Sequence, residues 1–266
     1  MVWGWTEVER RQGGLVGREI LRLESVDSTN SLVKHLAAQG AQEGLVVISE
    51  EQTAGRGRRG RSFQSRKGQG LYLSALVCPG GGAEQVAELT AWTAVAVSDG
   101  IQAACGVRPQ IKWVNDLVLG GKKLCGILAE LCVAQDGSPA GVVIGVGINI
   151  SQREEDFSPE LRTVATSLSQ QLGRPVDRER VAEEVVRALD RMYCCFPREK
   201  QQYLEKYRKD CLTTGKQVQL ITPAAVREAF ACGVDDEFRL LVTLPDGSTE
   251  TVAAGEVSVR GMYGYL

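Results

Sequence analysis

The residues of this sequence best suited to chemistry are the arginines of one short stretch, residues 55–61, which reads Gly-Arg-Gly-Arg-Arg-Gly-Arg. An arginine guanidinium presents a planar fork of N–H donors that fits the oxygens of a carboxylate or a phosphate. Glycine lets backbone N–H groups approach a bound group closely and permits positive φ. The stretch, called the glycine–arginine loop below, is therefore built to hold anions.

Two more polar clusters lie further along the chain. Lys112, Asn115 and Asp116 follow a short apolar run, and Lys122 and Lys123 open the next one. Each cluster alone is weak evidence, because charged residues beside a turn are usually just solvated. Since each cluster begins or ends a predicted strand of one sheet, all of them can converge over a shared pocket. This combination suits a reaction of a nucleotide. The arginines and lysines can neutralise phosphate or carboxylate oxygens, and an Asp and an Asn can hold Mg²⁺ or ribose.

The common nucleotide-binding motifs are absent from the sequence. It contains no Gly-x-x-x-x-Gly-Lys-Ser/Thr loop, and no Gly-x-Gly-x-x-Gly opens a helix after a strand, so neither P-loop nor dinucleotide binding is supported. The glycine–arginine loop by itself also fits a solvated surface loop or an RNA-binding segment. A formal net charge of -2 argues against the broad basic surface of a protein that coats nucleic acid.

Cysteine and histidine usage indicates the compartment and excludes some chemistries. The eight cysteines form no Cys-x-x-Cys pair, and several lie in apolar runs, as free thiols do in a reducing cytoplasm. The single histidine, His35, lies in an amphipathic run and is interpreted as a surface or packing residue. A zinc site or a Ser-His-Asp arrangement is therefore not expected. Because the sequence has no signal peptide and no membrane-spanning run, we expect a cytoplasmic protein.

The elements that must position these residues are predicted from apolar periodicity. Strands are predicted at 15–25, 44–49, 71–78, 110–114, 124–132 and 141–150. Helical spacing predicts helices near 31–37, 83–105, 181–192 and 203–207. Asp27 or Ser28 caps the first helix, and from the residues alone Ser28 and Thr29 could serve capping or function. The glycines of 141–150 indicate a central strand with a ligand close to its backbone.

The character of the chain changes after residue 215. Short strands are predicted at 218–221, 226–232, 238–244 and 249–253, with a turn at 245–248. We place a boundary near residue 212, between a domain of residues 1–212 and a small β-barrel of residues 213–266. The predicted fold class is α+β, a mixed sheet with helices packed against it plus the small barrel.

Taken together and in order, the motifs resemble those of the biotin–protein ligases. The resemblance rests on the glycine–arginine loop, Lys112-Trp-Val-Asn-Asp116, Lys123-Leu-Cys-Gly-Ile-Leu-Ala-Glu130 and Gly145-Val-Gly-Ile-Asn149. Asp27-Ser-Thr-Asn30 and the terminal Gly255-Glu-Val-Ser-Val-Arg-Gly261 match as well. The resemblance therefore runs from about residue 20 to the end, and it favours a function for Ser28 and Thr29.

What this resemblance implies is an ATP-dependent, two-step ligation. The catalytic domain would be related to class II aminoacyl-tRNA synthetases, and an SH3-like domain would follow it. Biotin would attack the α-phosphate of ATP, which carries Mg²⁺, to give biotinyl-5′-AMP and pyrophosphate. A lysine of the biotin carboxyl carrier domain of a biotin-dependent carboxylase would then displace AMP. Such chemistry needs positioned cations rather than a covalent nucleophile.

The functional positions of the family carry over onto this sequence as expectations. Lys123 would bridge the biotin carboxylate and the α-phosphate, Asp116 would orient or deprotonate the carrier lysine, and Arg58 would help to order the loop over both. The residues expected to bind biotin are Ser28, Thr29, Gln52, Gly55, Arg56, Arg58, Lys123, Gly126, Leu128 and Gly145. Those expected to bind the nucleotide are Arg56, Arg58, Arg59, Arg61, Asn115, Asn149 and Arg260. No metal ligand is predicted, and Lys112 and Trp113 are interpreted as structural.

Three residues depart from the pattern of the family. Val114 replaces a common proline, Phe63 stands where tryptophan often follows the loop, and Phe238 occupies a place that often holds glycine. These departures bear on local geometry rather than on the reaction. About twenty residues precede the first matching strand, too few for a winged helix-turn-helix, so a monofunctional ligase without specific DNA binding is expected.

Two alternatives stay open at this point. A lipoate or octanoate ligase shares the catalytic architecture, although the arginine-rich loop and the Gly-Glu-Val-Ser motif favour biotin. A nucleic-acid-binding module with a basic arm is disfavoured by the acidic balance of charges. A homodimer is compatible with the resemblance, and no membrane association is expected.

Overall fold

The computed structural model describes residues 5–79, 83–134, 137–222, 225–253 and 258–261. These residues form two sheets, of eight and five strands, with α-helices packed on the larger one. No helix in the described ranges is both long enough and apolar enough to cross a bilayer. A mixed sheet, helices packed against it and a small second sheet agree with the predicted fold class.

The larger sheet is mixed, and its middle strands are buried on both faces. Its strands are β1 (Trp5–Arg10), β2 (Glu19–Leu23), β3 (Leu45–Ser49), β4 (Gly70–Val77), β5 (Gln110–Lys112), β6 (Asp116–Leu119), β7 (Lys122–Val133) and β8 (Pro139–Asn149). The order across the sheet is β1-β2-β3-β4-β8-β7-β6-β5, with β2 and β3 parallel and all other neighbours antiparallel. Strands β4 and β8 therefore lie at its centre.

Different helices cover the two faces of this sheet. Side chains alternate along each strand, so both faces carry apolar side chains that must be covered. The helices are α1 (Thr29–Ala38), α2 (Ala83–Cys105), α3 (Pro159–Arg162), α4 (Leu168–Leu172), α5 (Arg178–Cys195) and α6 (Lys200–Asp210). Leu73 of β4 belongs to the apolar core shared with α2 and α5, whereas Leu76 of the same strand belongs to a separate core under α1. Helix α1 therefore has one sheet face largely to itself.

Helix α1 begins beside the sheet at a capped N-terminus. Ser28 is the cap, and its side chain accepts a hydrogen bond from the backbone N–H of Ser31 at 3.4 Å. A serine cap of this kind stabilises a helix by about 1 kcal/mol. Leu32 and Val33 are almost fully buried against the sheet. The cap and this packing hold residues 28–30 against the sheet, with each of their side chains buried.

The second sheet is antiparallel, as expected for the predicted small barrel. Its strands are β9 (Gln217–Ile221), β10 (Val226–Val234), β11 (Leu240–Thr243), β12 (Thr249–Val252) and β13 (Ser258–Gly261). They pair in the order β12-β11-β10-β9-β13, so the last strand returns beside the first. Buried side chains of this sheet, including Val218 and Leu240, join the core that runs beneath the larger sheet.

Buried hydrogen bonds and aromatic contacts join the two sheets. The Trp113 indole N–H donates to the carbonyl of Phe238 at 2.9 Å, and the Trp113 backbone N–H donates to Thr213 Oγ1 at 2.9 Å. The Phe238 ring packs edge-on against Tyr207, with centroids 5.4 Å apart. Phe238 has a φ of 59°, the left-handed backbone that glycine adopts most easily. Phe238, at a position where the family often has glycine, therefore places a buried ring between the two sheets. The hydrogen bonds of Trp113 also join the two sheets.

Some elements escaped the sequence analysis. Strands β1, β6 and β13 and the short helices α3 and α4 were not predicted, and strand β2 begins four residues later than expected, at Glu19. Strand β1 mixes polar, charged and apolar residues without an apolar run, lies at the sheet edge and pairs only with β2. Its register is set by that neighbour rather than by an apolar run of its own, so local pattern does not reveal it.

Candidate active site

A cavity opens on the α1 side of the larger sheet, above strands β7 and β8. This cavity, called the inner cavity, contains about 470 Å³ of open space. Every residue that the resemblance assigns to biotin lines it except Gly55. Its lining comes from the start of α1, the segment around Gln52, the glycine–arginine loop with Phe63 after it, the β5–β6 turn, β7 and β8. Residues far apart in sequence are therefore brought together as predicted.

Three glycines of β7 and β8 lie in the floor of the inner cavity, where there is little or no room for a side chain. A methyl group on Gly145 of β8 would lie 2.1 Å from Asn30 Oδ1, and one on Gly147 would lie 2.7 Å from the Phe63 ring. On β7, a methyl group on Gly126 would lie 3.4 Å from the same ring. Real Cβ atoms do not approach other heavy atoms as closely as 2.1 or 2.7 Å. The predicted close approach to the backbone of β8 therefore has a steric basis.

A buried hydrogen-bond network fixes one wall of the inner cavity. Gln52 Oε1 accepts from the backbone N–H of Thr29 at 2.9 Å and lies 3.1 Å from Thr29 Oγ1. Ser74 Oγ lies 2.7 Å from Thr29 Oγ1 and 2.6 Å from Asn30 Oδ1. Asn30 Nδ2 donates to the carbonyl of Leu128 at 3.1 Å. Buried polar groups that are hydrogen-bonded on several sides cannot reorient freely, so this wall is rigid.

The glycine–arginine loop folds as a tight turn over the cavity. The Gly57 N–H donates to the Arg61 carbonyl at 2.7 Å, and the Phe63 N–H donates to the Gly55 carbonyl at 2.8 Å. Gly55 is buried in the base of this turn, where a methyl group would lie 2.5 Å from the Phe63 carbonyl oxygen. Gly55 therefore shapes the loop and does not line the cavity.

A second, larger cavity lies beyond the loop, between the β5–β6 turn and the small sheet. This outer cavity contains about 1610 Å³ of open space and reaches Val259 of β13. Its lining includes the cations Arg58, Arg59, Arg61, Lys112 and Lys123 but only the acids Asp116 and Glu160. An excess of cations around an open cavity suits a ligand that carries several negative charges.

The two cavities meet at a small set of shared residues. Arg58, Asn115 and Lys123 line both of them. Lys123 Nζ lies 2.7 Å from Asp116 Oδ1, and Arg58 Nη1 donates to Asn115 Oδ1 at 3.1 Å. The Asn115 amide N–H donates in turn to the Ile127 carbonyl at 2.9 Å. A group held in one cavity can therefore reach a group held in the other at the Lys123 ammonium.

The backbone on both sides of Lys123 is fixed. Its N–H donates to the Val164 carbonyl at 2.7 Å, and its carbonyl accepts from the Thr166 N–H at 2.9 Å. Across the β6–β7 pair, Asp116 lies opposite Gly126, so its carboxylate reaches back toward Lys123. The ion pair at the junction of the cavities thus rests on strands rather than on a free loop.

Burial changes the pKa of Arg58, at the junction, and of Cys125, whose side chain lies in the core beside β7. Removal from water lowers the pKa of the Arg58 guanidinium, and the nearby Asp116 charge opposes that shift. Burial raises the pKa of the Cys125 thiol far above its usual value, so this cysteine stays protonated beside Gly126. A protonated, buried thiol is a poor nucleophile, which agrees with chemistry that depends on positioned cations.

Two residues predicted to bind the nucleotide are placed differently from the rest. Asn149 lines neither cavity, because its amide N–H donates to the Thr166 carbonyl at 2.9 Å and its Oδ1 accepts from Gln152 at 3.2 Å. It is buried and supports the segment that holds Lys123. Only the backbone of Arg260 is described, in β13 opposite Gln219. Gly255, Glu256 and Val257 of the terminal motif lie outside the described residues.

Comparison with known proteins gives the family. Residues 23–149 match the sequence profile of the Biotin/lipoate A/B protein ligase family. The chain is 33% identical over 253 residues to a Biotin–[acetyl-CoA-carboxylase] ligase of Mycobacterium tuberculosis, an alignment that covers 90% of this chain and 88% of that one. The chain belongs to the biotin–protein ligases. This confirms the family that the motifs indicate.

Two other similarities extend over most of the chain. It is 33% identical over 248 residues to the Bifunctional ligase/repressor BirA of Bacillus spizizenii, covering 90% of this chain and 74% of that one. The solved structure of the biotin protein ligase from Aquifex aeolicus, in complex with biotin and ATP, has a TM-score of 0.79 and 26% identity and covers 91% of this chain and 98% of that one. The predicted fold class is confirmed by that likeness.

Sequence reasoning missed several residues that shape this ligase site. Asn30 and Phe63 line the inner cavity, and Ser74 joins Asn30 to Thr29 from β4. Asn30 lies in the Asp27-Ser-Thr-Asn30 motif, which could have marked it. Ser74 gave a weaker signal, a lone hydroxyl in the apolar strand 71–78, where a buried polar group needs a partner.

Mg²⁺ was predicted as the partner of ATP, and an Asp and an Asn of the second polar cluster were expected to hold either Mg²⁺ or ribose. In the described ranges no group of three or more His, Cys, Asp or Glu side chains lies close enough together to hold a metal ion. Asp116, the acid at the junction, is already paired with Lys123. The side chains in the described ranges therefore do not form a metal site of their own.

Proposed function

We propose that this chain activates biotin with ATP and transfers it to a lysine of a biotin carboxyl carrier domain. The observation that carries the proposal is the junction of the inner and outer cavities at Lys123, in a chain of the biotin–protein ligase family. The Aquifex aeolicus ligase, which shares this fold, binds biotin and ATP in its solved structure. Two cavities that meet beside the cations Lys123 and Arg58 are what a reaction between two anions requires.

The inner cavity suits biotin because it combines polar and apolar walls. Thr29 and Gln52 offer hydrogen-bonding groups for the ureido ring, while Gly145, Leu128 and the Phe63 ring leave an apolar floor. The biotin carboxylate then points toward the junction, where Lys123 lies. Because the cavity walls enclose the ring on both sides, an uncharged ring can be held by hydrogen bonds and apolar contacts without an ion pair.

The outer cavity suits the triphosphate and nucleoside of ATP. Arg58, Arg59 and Arg61 come from the glycine–arginine loop, and Lys123 lies at the opposite wall. In this role Arg56, which lines only the inner cavity, would act on the biotin side, while Asn149 would position the backbone of the Lys123 segment. The α-phosphate would therefore meet the carboxylate at Lys123.

The first step is the formation of the acyl adenylate. A carboxylate oxygen of biotin attacks the α-phosphorus, the bond from that phosphorus to the bridging oxygen of pyrophosphate breaks, and pyrophosphate leaves with the electron pair. The Lys123 ammonium neutralises the carboxylate before attack and the phosphoryl oxygens as charge grows on them. Asp116 keeps the ammonium in place through their 2.7 Å contact.

The second step transfers the biotinyl group to the carrier. The amine of the carrier lysine attacks the acyl carbon, the bond from that carbon to the AMP oxygen breaks, and the nitrogen loses a proton. Asp116 lines the outer cavity, where a protein substrate can enter, and its carboxylate would orient the lysine and accept this proton. Arg58 would hold the adenylate until then.

Biotin-dependent exchange of labelled pyrophosphate into ATP tests the proposal. We expect exchange with biotin, followed by transfer to a carrier domain and not to a carrier whose acceptor lysine is replaced by arginine. Exchange with lipoate or octanoate and none with biotin would overturn this function in favour of the related lipoate chemistry of the same family.

The domain division and the partners remain parts of this proposal. We assign the cavities chiefly to residues 1–212 and a closing role to residues 213–266, whose Val259 reaches the outer cavity. A homodimer and the lack of specific DNA binding are predictions of the resemblance. Sedimentation at micromolar concentration, with and without biotin and ATP, measures the first, and fluorescence anisotropy with duplex DNA measures the second.

A further inference from the structure

We propose that the Phe63 ring and the Lys123 side chain form a narrow neck over Gly126, and that this neck selects the length of the acyl chain between the ring and the carboxylate of the ligand. This selection rests on the proposed function and deepens it, because it concerns the acyl chain of the same substrate. Phe63 would then be a specificity-determining residue.

The Phe63 ring is held at the border of the two cavities, both of which it lines. It lies directly on the backbone of β8, where a methyl group on Gly147 would be 2.7 Å from it. The ring also packs edge-on against Tyr72, with centroids 6.2 Å apart. The backbone N–H of Phe63 donates to the Gly55 carbonyl at 2.8 Å. The ring therefore forms a fixed wall on the β8 side of the passage to Lys123.

The width of the neck is set over Gly126 of β7. A methyl group on Gly126 would lie 3.4 Å from the Phe63 ring and 3.5 Å from Lys123 Nζ. Both distances are ordinary van der Waals contacts. A single group of methyl size would therefore touch the ring on one side and the ammonium on the other. An unbranched acyl chain fits such a passage, because each of its methylenes has about that size.

The length of the passage is set by the strand beneath it. Along β7, Gly126 lies two residues nearer to Lys123 than Leu128 does, and both line the inner cavity. Residues two apart on a strand share a face and lie about 7 Å apart. The Leu128 carbonyl accepts from Asn30, so this end lies beside the buried wall of the cavity. Strand β7 pairs on both sides, with β6 and β8, so the span from that wall to Lys123 is fixed.

A chain of the wrong length fails for different reasons at the two extremes. A chain that is too short does not bring its carboxylate to Lys123, whatever residue stands at position 63. A chain that is too long must bend away from the strand, and the Phe63 ring occupies the space on the β8 side. The ring therefore excludes excess length and has no effect on a deficit.

The test uses biotin and two homologues, one with an additional side-chain methylene and one with a methylene fewer. Pyrophosphate exchange gives kcat/KM for each. In the wild type we expect each homologue to fall between about 10-fold and 200-fold below biotin, the usual discrimination for one methylene. In Phe63→Ala the discrimination against the longer homologue should fall about tenfold, and that against the shorter one should stay within about threefold. A loop that is merely destabilised would lower all three values alike.

A second variant narrows the neck from the opposite side. The methyl group of Gly126→Ala meets the protein only at contact distance, so the fold is kept, but it occupies the passage. Exchange with biotin should fall on the order of 100-fold. In the double variant Phe63→Ala with Gly126→Ala, the chain gains the space of the ring. The loss caused by Gly126→Ala should then shrink to about tenfold.

Matched controls come from β10, whose residues line neither the inner nor the outer cavity. Phe230→Ala removes an exposed ring, and Gly233→Ala adds a methyl group that meets nothing within 4 Å. Both should leave the three kcat/KM values unchanged. If Phe63→Ala does not fold, as judged by thermal unfolding, Phe63→Leu takes its place with the same asymmetry between the homologues expected.

The outcomes separate the neck from the proposed function. A wild-type protein that exchanges with the longer homologue as well as with biotin overturns the neck. So does a Phe63 variant that changes both ratios alike or neither, or an equal loss from Gly126→Ala with and without the Phe63 ring. A wild-type protein without any biotin-dependent exchange overturns the proposed function itself, and the neck with it.

Discussion

The inner and outer cavities share Lys123, yet they are built by opposite means. The inner cavity has walls of buried, mutually hydrogen-bonded side chains, such as Thr29 and Asn30, which are 3% and 5% exposed. The outer cavity is more than three times as large and has an excess of arginine and lysine. Its arginines Arg59 and Arg61 are exposed.

The contrast between the hydrogen-bonded inner cavity and the cationic outer cavity shows how one site can bind two ligands by different interactions. A neutral ring offers few polar groups, so the protein must fix the direction of each hydrogen bond in order to recognise it. A polyphosphate carries so much charge that several cations around an open space suffice. We therefore expect substitutions on the inner side to change which ligand binds and substitutions on the outer side to change how tightly or how fast.

The largest effect is expected at Lys123, one of the residues that both cavities share. Lys123→Ala removes the cation from the place where negative charge develops, and adenylate formation should fall by about 100-fold to 1000-fold. Pyrophosphate exchange at saturating biotin and ATP measures this. Lys122→Ala is the control, since Lys122 donates to the Arg162 carbonyl at 3.2 Å and lines neither cavity. Exchange near the wild-type rate in Lys123→Ala would contradict the assigned role.

A smaller loss, confined to the inner cavity, is expected from Gly145→Ala. The added methyl group would lie 2.1 Å from Asn30 Oδ1, so the buried wall must shift, and biotin binding should weaken by about 10-fold to 100-fold. ATP binding should change little. Calorimetry with each ligand alone measures both effects. Gly233→Ala in β10, where a methyl group meets nothing within 4 Å, is the matched control. Equal weakening of both ligands would contradict the separation of the cavities.

Retention of the intermediate should depend on Arg58, at the border of the two cavities. Arg58→Gly removes the guanidinium that bonds Asn115 and lines both cavities, so biotinyl-5′-AMP should dissociate about tenfold faster while its synthesis is affected less. Labelling of lysines on a bystander protein, set against the exchange rate, measures this ratio. If Arg58→Gly retains biotinyl-5′-AMP as tightly as the wild type does, then residues other than Arg58 retain the adenylate.

The smallest effect is expected on the outer rim. Arg59 has left-handed backbone, with φ 58°, and its Nη1 donates to the Ile221 carbonyl of β9 at 3.2 Å. Arg59→Ala removes this exposed contact between the loop and the small sheet, so KM for ATP should rise about threefold without a change in KM for biotin. Steady-state exchange gives both constants, with the exposed Arg153→Ala as control. A rise in KM for biotin alone would contradict an outer role for Arg59.

The sequence revealed the residues of the site far better than their arrangement. The glycine–arginine loop and Lys112-Trp-Val-Asn-Asp116 were recognisable because charged and glycine residues interrupt apolar strands at fixed spacings. Gly55 belongs to that loop and Asn149 to the motif Gly145-Val-Gly-Ile-Asn149, yet they line neither cavity. A motif records which residues a site needs and does not say whether each one faces the ligand or supports a neighbour.

The sequence by itself determined the family and the fold class, because motif spacing and apolar periodicity are local properties of the chain. Of the ten residues that the resemblance assigns to biotin, nine line the inner cavity. Only the tertiary structure decided that Ser74 and Glu130 hydrogen-bond to Thr29 and Asn30. Strand β4, helix α1 and strand β7 carry these residues, and their register across the sheet brings them together. The direction of a hydrogen bond depends on which donors and acceptors meet in space, and no local pattern contains that information.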